Sequence, residues 1–228
     1  MFTDTNWVQS RSSISLAVIV GLIVALFGSP IIGQLNLLDR FSTSPTGSLL
    51  LNSAIMWFLV VAVLAIVLFW EKRSVTSIGL EMLSRRQAGV GVAGGVGGLA
   101  LGLLATGIVV AAFNLDQPET LSAINELPLL VKLVIVGTAV ITEELLWRGY
   151  PIERLTEITG SLWIGAATSF VVFLAVHYPE WGLVGAIPQT VFTLALVGVY
   201  IRTRNVVACI ITHTIINIVM VLVLPAVI

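Results

Sequence analysis

The chain has 228 residues, of which 57% are hydrophobic and 10% charged, with a net charge of −1 and a mean hydropathy of +1.06. A soluble globular domain carries about 25% charged residues, so this chain cannot cover a water-facing surface, and the solvent for most of it must be lipid. It holds no basic run with interleaved aromatics, which argues against nucleic-acid binding, and its single cysteine, Cys209, excludes an intrachain disulfide.

The length allows about seven spans of roughly 20 residues joined by short loops. The predicted fold class is therefore all-α, a polytopic helical bundle in a membrane. Apolar stretches and their breaks predict spans over residues 14–32, 49–70, 88–113, 128–148, 161–177, 181–200 and 206–228. A mostly polar lead and the lack of an A-x-A site mark the first as a retained span rather than a cleaved signal. The third is glycine-rich: Gly94, Gly98 and Gly102 recur every four residues, as do Gly91 and Gly95. That spacing predicts a smooth helix face for close packing; a phosphate loop would need a strand and a Lys-Ser/Thr pair, and neither is present. The sixth span is expected to bend at Pro188. Trp147, Trp163 and Trp181 read as interfacial anchors.

Charge orients the bundle. With the N-terminus inside, Arg11, Lys72, Arg73, Arg85, Arg86, Arg148, Arg154, Arg202 and Arg204 all fall on the inner side. Arg40 falls in an outer loop and Lys132 near the outer end of the fourth span, while the outer loop at 114–127 carries Asp116, Glu119 and Glu126. Lys and Arg accumulate on the cytoplasmic side, so the expectation is an integral membrane protein with a cytoplasmic N-terminus and an outside C-terminus.

Ionisable groups inside hydrocarbon cost several kcal/mol unless paired or hydrated. Those inside the predicted spans are few: Glu143, Glu144 and Arg148 in the fourth, His177 in the fifth, and His213, with the polar Asn217, in the seventh. Glu144 and Arg148 are i, i+4 and can pair on one face. Glu143 is rotated by about 100° from Glu144 and can face another helix. Glu143 and His177 lie at equal sequence distances on either side of Gly160. Two antiparallel arms would therefore place them at one depth, about 25 Å from a tip bearing Arg148, Glu153, Arg154 and Glu157, which is expected to protrude. His213 and Asn217 share a face by i, i+4 spacing. Cys209 stacks on the same face, but a cysteine and a histidine on one rigid helix seldom reach attack geometry, and a buried cysteine is usually an apolar filler.

Glu143-Glu144-x-x-x-Arg148, then Phe173-x-x-x-His177, then His213-x-x-x-Asn217, in this order over residues 128–222, resemble the type II CAAX prenyl endopeptidase and bacteriocin-processing (CPBP, or Abi) intramembrane proteases. The resemblance divides the chain into N-terminal transmembrane helices with a cytoplasmic loop (1–127) and a catalytic intramembrane protease core (128–228). It implies that Glu143 and His177 bind and activate a water, that His213 and Asn217 stabilise an oxyanion, and that Glu144 and Arg148 shape the site. The implied partners are the bilayer and a membrane-associated or lipidated substrate, with prenylated CAAX tails the best-known target. Two mechanisms remain open: Glu143, His177 and His213 are a plausible zinc set with an open fourth position, and the same groups could hold a water without metal. Buried Glu and His also suit a proton-coupled transporter, although no inverted repeat is evident, and a non-catalytic immunity or scaffold protein could keep the motifs.

Overall fold

A computed structural model describes residues 15–35, 41–42, 44–114, 124 and 126–224, and every described element is helical. Arg11, Arg40, Asp116 and Glu119, used above for orientation, lie outside the described residues, as does the side chain of Trp181.

Helix α1 (Leu16–Gln34) starts at Ser15, whose Oγ accepts from the Ala17 amide. Helix α2 (Pro45–Ala65) has Ser44 as its cap and proline in its first turn, where the missing N–H costs nothing. It continues through a π-helical turn, Ile66–Trp70. A short 3-10 turn, Val75–Ile78, ends at Gly79 with φ 74°. Helix α3 (Arg85–Phe113) opens with a reciprocal capping box between Ser84 and Gln87. Helix α4 (Leu129–Glu143) passes into a π-helical stretch, Glu144–Gly149, and then into α5 (Tyr150–Thr159), closed by Gly160 at φ 72°. The chain from Leu162 to Thr203 is helical on both sides of Gly182, giving α6 (Leu162–Pro179) and α7 (Val184–Thr203). Helix α8 (Val206–Asn217) is capped by Asn205, whose Oδ1 accepts from Val207 and Ala208, and continues as a π-helical turn, Ile218–Val223.

Among the described residues, six helices are long and apolar enough to cross a membrane: Leu16–Gln34, Pro45–Trp70, Arg85–Phe113, Leu162–Pro179, Val184–Thr203 and Val206–Val223. They correspond to six of the predicted spans. The other, α4, has 15 α-helical residues, and reaches further only through its π-helical extension and α5. The break between α6 and α7 is at Gly182 (φ 60°, ψ −166°) rather than at Pro188. That backbone conformation is open to glycine and closed to most residues, whereas Pro188 lies inside α7, whose backbone stays helical there.

The glycine face of α3 packs as its spacing predicts. A Cβ built on Gly91 would stand 2.6 Å from the Ala208 carbonyl oxygen, and one on Gly102 would stand 2.3 Å from the Phe192 ring. Only glycine lets α7 and α8 approach this closely. The Thr212 hydroxyl uses the proximity to donate to the Gly91 carbonyl at 2.8 Å. The apolar core joins both halves of the chain: Leu26, Leu59 and Val67 pack with Leu146, Phe173, Tyr200 and Cys209 in one cluster.

At one end of the bundle the segment after α2 folds over α5. Arg154 donates to Glu71 Oε2 at 2.6 Å and to the Ser77 carbonyl at 3.1 Å, and the Tyr150 hydroxyl donates to Glu71 Oε1 at 2.6 Å. Arg73 holds Glu157 through two bonds of 2.6 and 2.8 Å, and Arg204 holds Glu153. The hairpin tip is therefore covered by the segment after α2, and Arg148 and Arg154 are fully buried. Trp147, expected as an anchor, is 2% exposed and belongs to the core, while Trp163 is 71% exposed.

Candidate active site

The site is organised by the end of α4. The helix widens to π geometry at Glu144, and single π turns recur at functional sites because they re-aim neighbouring side chains. The stretch is tied down from both sides. Ser169 Oγ of α6 donates to the Trp147 carbonyl, and a Cβ on Gly149 would lie 2.8 Å from the Ile78 carbonyl, so the 3-10 turn presses directly on this backbone. Glu143 and Glu144 point to different environments. The Glu143 side chain is 16% exposed and faces a cavity; that of Glu144 is fully buried.

Glu143 Oε1 stands 3.9 Å from His177 Nε2. This exceeds hydrogen-bond length but suits one water shared between the two atoms. His177 Nδ1 lies 2.8 Å from the Phe173 carbonyl. A carbonyl only accepts, so Nδ1 carries hydrogen and, in the neutral ring, Nε2 is the acceptor turned to Glu143. The ring itself is clamped: Phe173 stacks on it at 4.1 Å between centroids, and Trp147 meets both rings edge-on, at 5.3 Å to Phe173 and 5.8 Å to His177. The Arg148 guanidinium lies 4.0 Å from the centroid of Phe173.

Glu144 makes the predicted contact to Arg148, at 3.3 Å, and a second that the sequence did not suggest. His213 Nδ1 of α8 lies 2.7 Å from the same oxygen, Glu144 Oε1. Glu144 thus joins Arg148 to His213. A carboxylate on Nδ1 fixes the tautomer and orientation of an imidazole and balances its charge when it is protonated. Glu144 Oε2, Arg148 Nε and Nη2 and Trp147 Nε1 are buried with no hydrogen-bond partner among the described residues.

A cavity of about 240 Å³ lies between α4, α6, α7 and α8. Its wall is mainly apolar, with Ile135, Val136, Phe192 and Met220, and its polar lining is Glu143, His177, Gln189, His213 and Asn217. The structure therefore brings four of the six predicted site residues to one surface. Glu144 and Arg148 lie outside that lining: Glu144 meets it at His213, and Arg148 lies on Phe173, which in turn packs on His177. Gln189 was missed by sequence reasoning. Its signal was an amide in an apolar span directly after Pro188, whose missing N–H leaves the Val184 carbonyl without its helical donor. Cys209 is fully buried, with its thiol donating to the Leu196 carbonyl at 3.6 Å, and does not line the cavity.

Glu143, His177 and His213, the three expected metal ligands, all line this cavity. Among the described residues no three His, Cys, Asp or Glu side chains are grouped so that they could hold an ion.

No curated protein and no solved structure matches the chain. Residues 125–219, which hold all of the lining polar residues, match the family described as type II CAAX prenyl endopeptidase Rce1-like.

Proposed function

We propose that this protein is a membrane endopeptidase that hydrolyses a peptide bond of a membrane-associated substrate, with water attacking directly. The observation that carries the reading is the convergence of Glu143 and His177, 3.9 Å apart, with His213 and Asn217 on one cavity walled by membrane-spanning helices. The family match supports it.

In this mechanism a water sits between Glu143 and His177. It directs one hydrogen to the carboxylate and the other to His177 Nε2, which leaves an oxygen lone pair for the substrate carbonyl carbon. As the C–O bond forms, Glu143 takes a proton and the carbonyl oxygen becomes an oxyanion. The Asn217 amide donates to it, as does Nε2–H of a protonated His213 whose charge Glu144 balances. Such donors in a dry site contribute about 3 kcal/mol each. Glu143 then passes its proton to the leaving nitrogen and the C–N bond breaks; the new carboxylic acid gives its remaining proton to the amine, and a carboxylate and an ammonium remain. Glu143, His177, His213 and Asn217 are the catalytic residues; Glu144 and Arg148 are positioning residues. No step is routed through a metal.

The apolar cavity wall suits a lipidated substrate, and a prenylated CAAX-type peptide is the first to test. Purified wild type in lipid vesicles should release the C-terminal fragment of a farnesylated peptide, and Glu143→Gln should not. Equal release by both would reject Glu143 as base, and no release from any lipidated or unlipidated peptide by wild type would reject the substrate class. The Lys/Arg bias supports a cytoplasmic N-terminus; a C-terminal reporter active only in the cytoplasm should stay silent, and a signal from it would reverse this orientation.

A further inference from the structure

Outside the catalytic cavity, a second and more polar cavity of about 330 Å³ lies at the end of the bundle that carries the ion pairs. It is lined by Ser84, Arg86, Gln87 and Val90 at the start of α3 and by Arg202 and Thr203 at the end of α7. Gln87 fastens the two helix ends together by donating to the Thr203 carbonyl at 3.1 Å.

The charges around this cavity do not balance. At this end Glu71 is held by Arg154, Glu157 by Arg73 and Glu153 by Arg204. Among the described residues, Arg86 and Arg202 have no acidic partner, and Glu81 is not part of the lining. Two exposed arginines from different helices thus line one polar recess with no acidic partner among the described residues. The helix start adds to this: the Gln87 amide is used by Ser84 Oγ and that of Ala88 by the Ser84 carbonyl, so the Arg85 and Arg86 amides keep no intrahelical acceptor. Planar guanidiniums and helix-start amides together are the donor chemistry that phosphate oxygens take.

The surroundings indicate where the phosphate comes from. At about 100° per residue, Leu101 and Leu104 follow Arg86 and Val90 on one face of α3, within about 60° of each other. Both leucines are exposed, at 61% and 60%. Leu101 lies about 16 Å along the helix from Val90, close to half the hydrocarbon thickness of about 30 Å. The polar recess therefore lies at the start of an exposed apolar track about one leaflet long.

We propose that this cavity binds the phosphate of an anionic phospholipid headgroup between Arg86 and Arg202, with an acyl chain laid along Val90, Leu101 and Leu104 of α3. The site is separate from the catalytic cavity and stands whether or not the protein is a peptidase.

The test is thermal unfolding in uncharged detergent micelles, titrated separately with phosphatidylglycerol, phosphatidylcholine and inorganic phosphate. Wild type should gain stability with phosphatidylglycerol and little with the other two. Arg86→Gln/Arg202→Gln should weaken the phosphatidylglycerol response by roughly twenty- to thirty-fold in midpoint concentration, and Arg85→Gln, outside the lining, should keep it. If the double variant melts early without lipid, Arg202→Gln alone serves, with a shift of roughly fivefold. An unchanged phosphatidylglycerol response in these variants, or equal responses to the two lipids in wild type, overturns the proposal. A full response to inorganic phosphate alone overturns the lipid source.

Discussion

Replacing Glu144 and Arg148 separately and together should uncouple stability from activity. Both side chains are fully buried, 3.3 Å apart, and the Glu144 oxygen that faces Arg148 also meets His213 at 2.7 Å. Removing one partner, as in Glu144→Leu or Arg148→Met, leaves the other charge buried without compensation, which costs about 3–5 kcal/mol. Removing both at once, with side chains of similar size, is close to neutral for a buried pair, so Glu144→Leu/Arg148→Met should regain most of the lost stability. Activity should not return with it. Without Glu144 nothing fixes the His213 ring or balances its charge, and loss of one preorganised oxyanion donor costs about 10²–10³ in kcat. Unfolding in detergent micelles and peptide cleavage, measured on wild type, both single variants and the double variant, decide the matter. A double variant that is stable and cleaves at the wild-type rate would refute the role assigned to Glu144. Single variants as stable as wild type would refute the buried ion pair itself.

Three further outcomes are expected. Gln189→Leu should lower kcat/KM by roughly twofold to tenfold, the worth of one hydrogen bond to substrate, without shifting the melting midpoint; a wild-type kcat/KM would remove Gln189 from substrate contact. Chelation should leave cleavage unchanged, because no metal-holding group of side chains is formed among the described residues; loss on chelation with recovery on adding zinc would contradict the direct-water mechanism. Gly102→Leu should destabilise by about 1–3 kcal/mol or more through overpacking against Phe192, whereas Gly97→Ala, into open space, should be neutral or stabilise by up to about 1 kcal/mol. Equal effects of the two substitutions would contradict the packing of α3.

The parts of this site that were legible from the sequence are those set by helix periodicity. Glu143 and His177 meet because equal arms about Gly160 bring them to one depth, and Gly160 does close the helix with a left-handed turn. His213 and Asn217 share the cavity because i, i+4 spacing keeps them on one face. What was not legible came from contacts between distant segments. Nothing local indicates that His213 reaches Glu144, or that the 71–80 segment folds over α5 and buries Arg154. Trp147 was misread for the same reason: aromatic residues near a span end favour the interface, but here α6 supplies Phe173 and His177 to enclose it. The break at Gly182 depends on a positive φ, which composition does not reveal, while Pro188 drew attention to a place where the helix continues.

Glu143 is the residue on which the account turns, and the most direct measurement compares peptides released or shortened in membranes carrying wild type or Glu143→Gln at equal expression. Products should be present with wild type and absent with the variant, and each N-terminal fragment should carry a new C-terminus with one heavy oxygen when the reaction runs in labelled water. Identical peptide sets from the two membranes, alongside a wild type shown to cleave a lipidated peptide in vesicles, would contradict it.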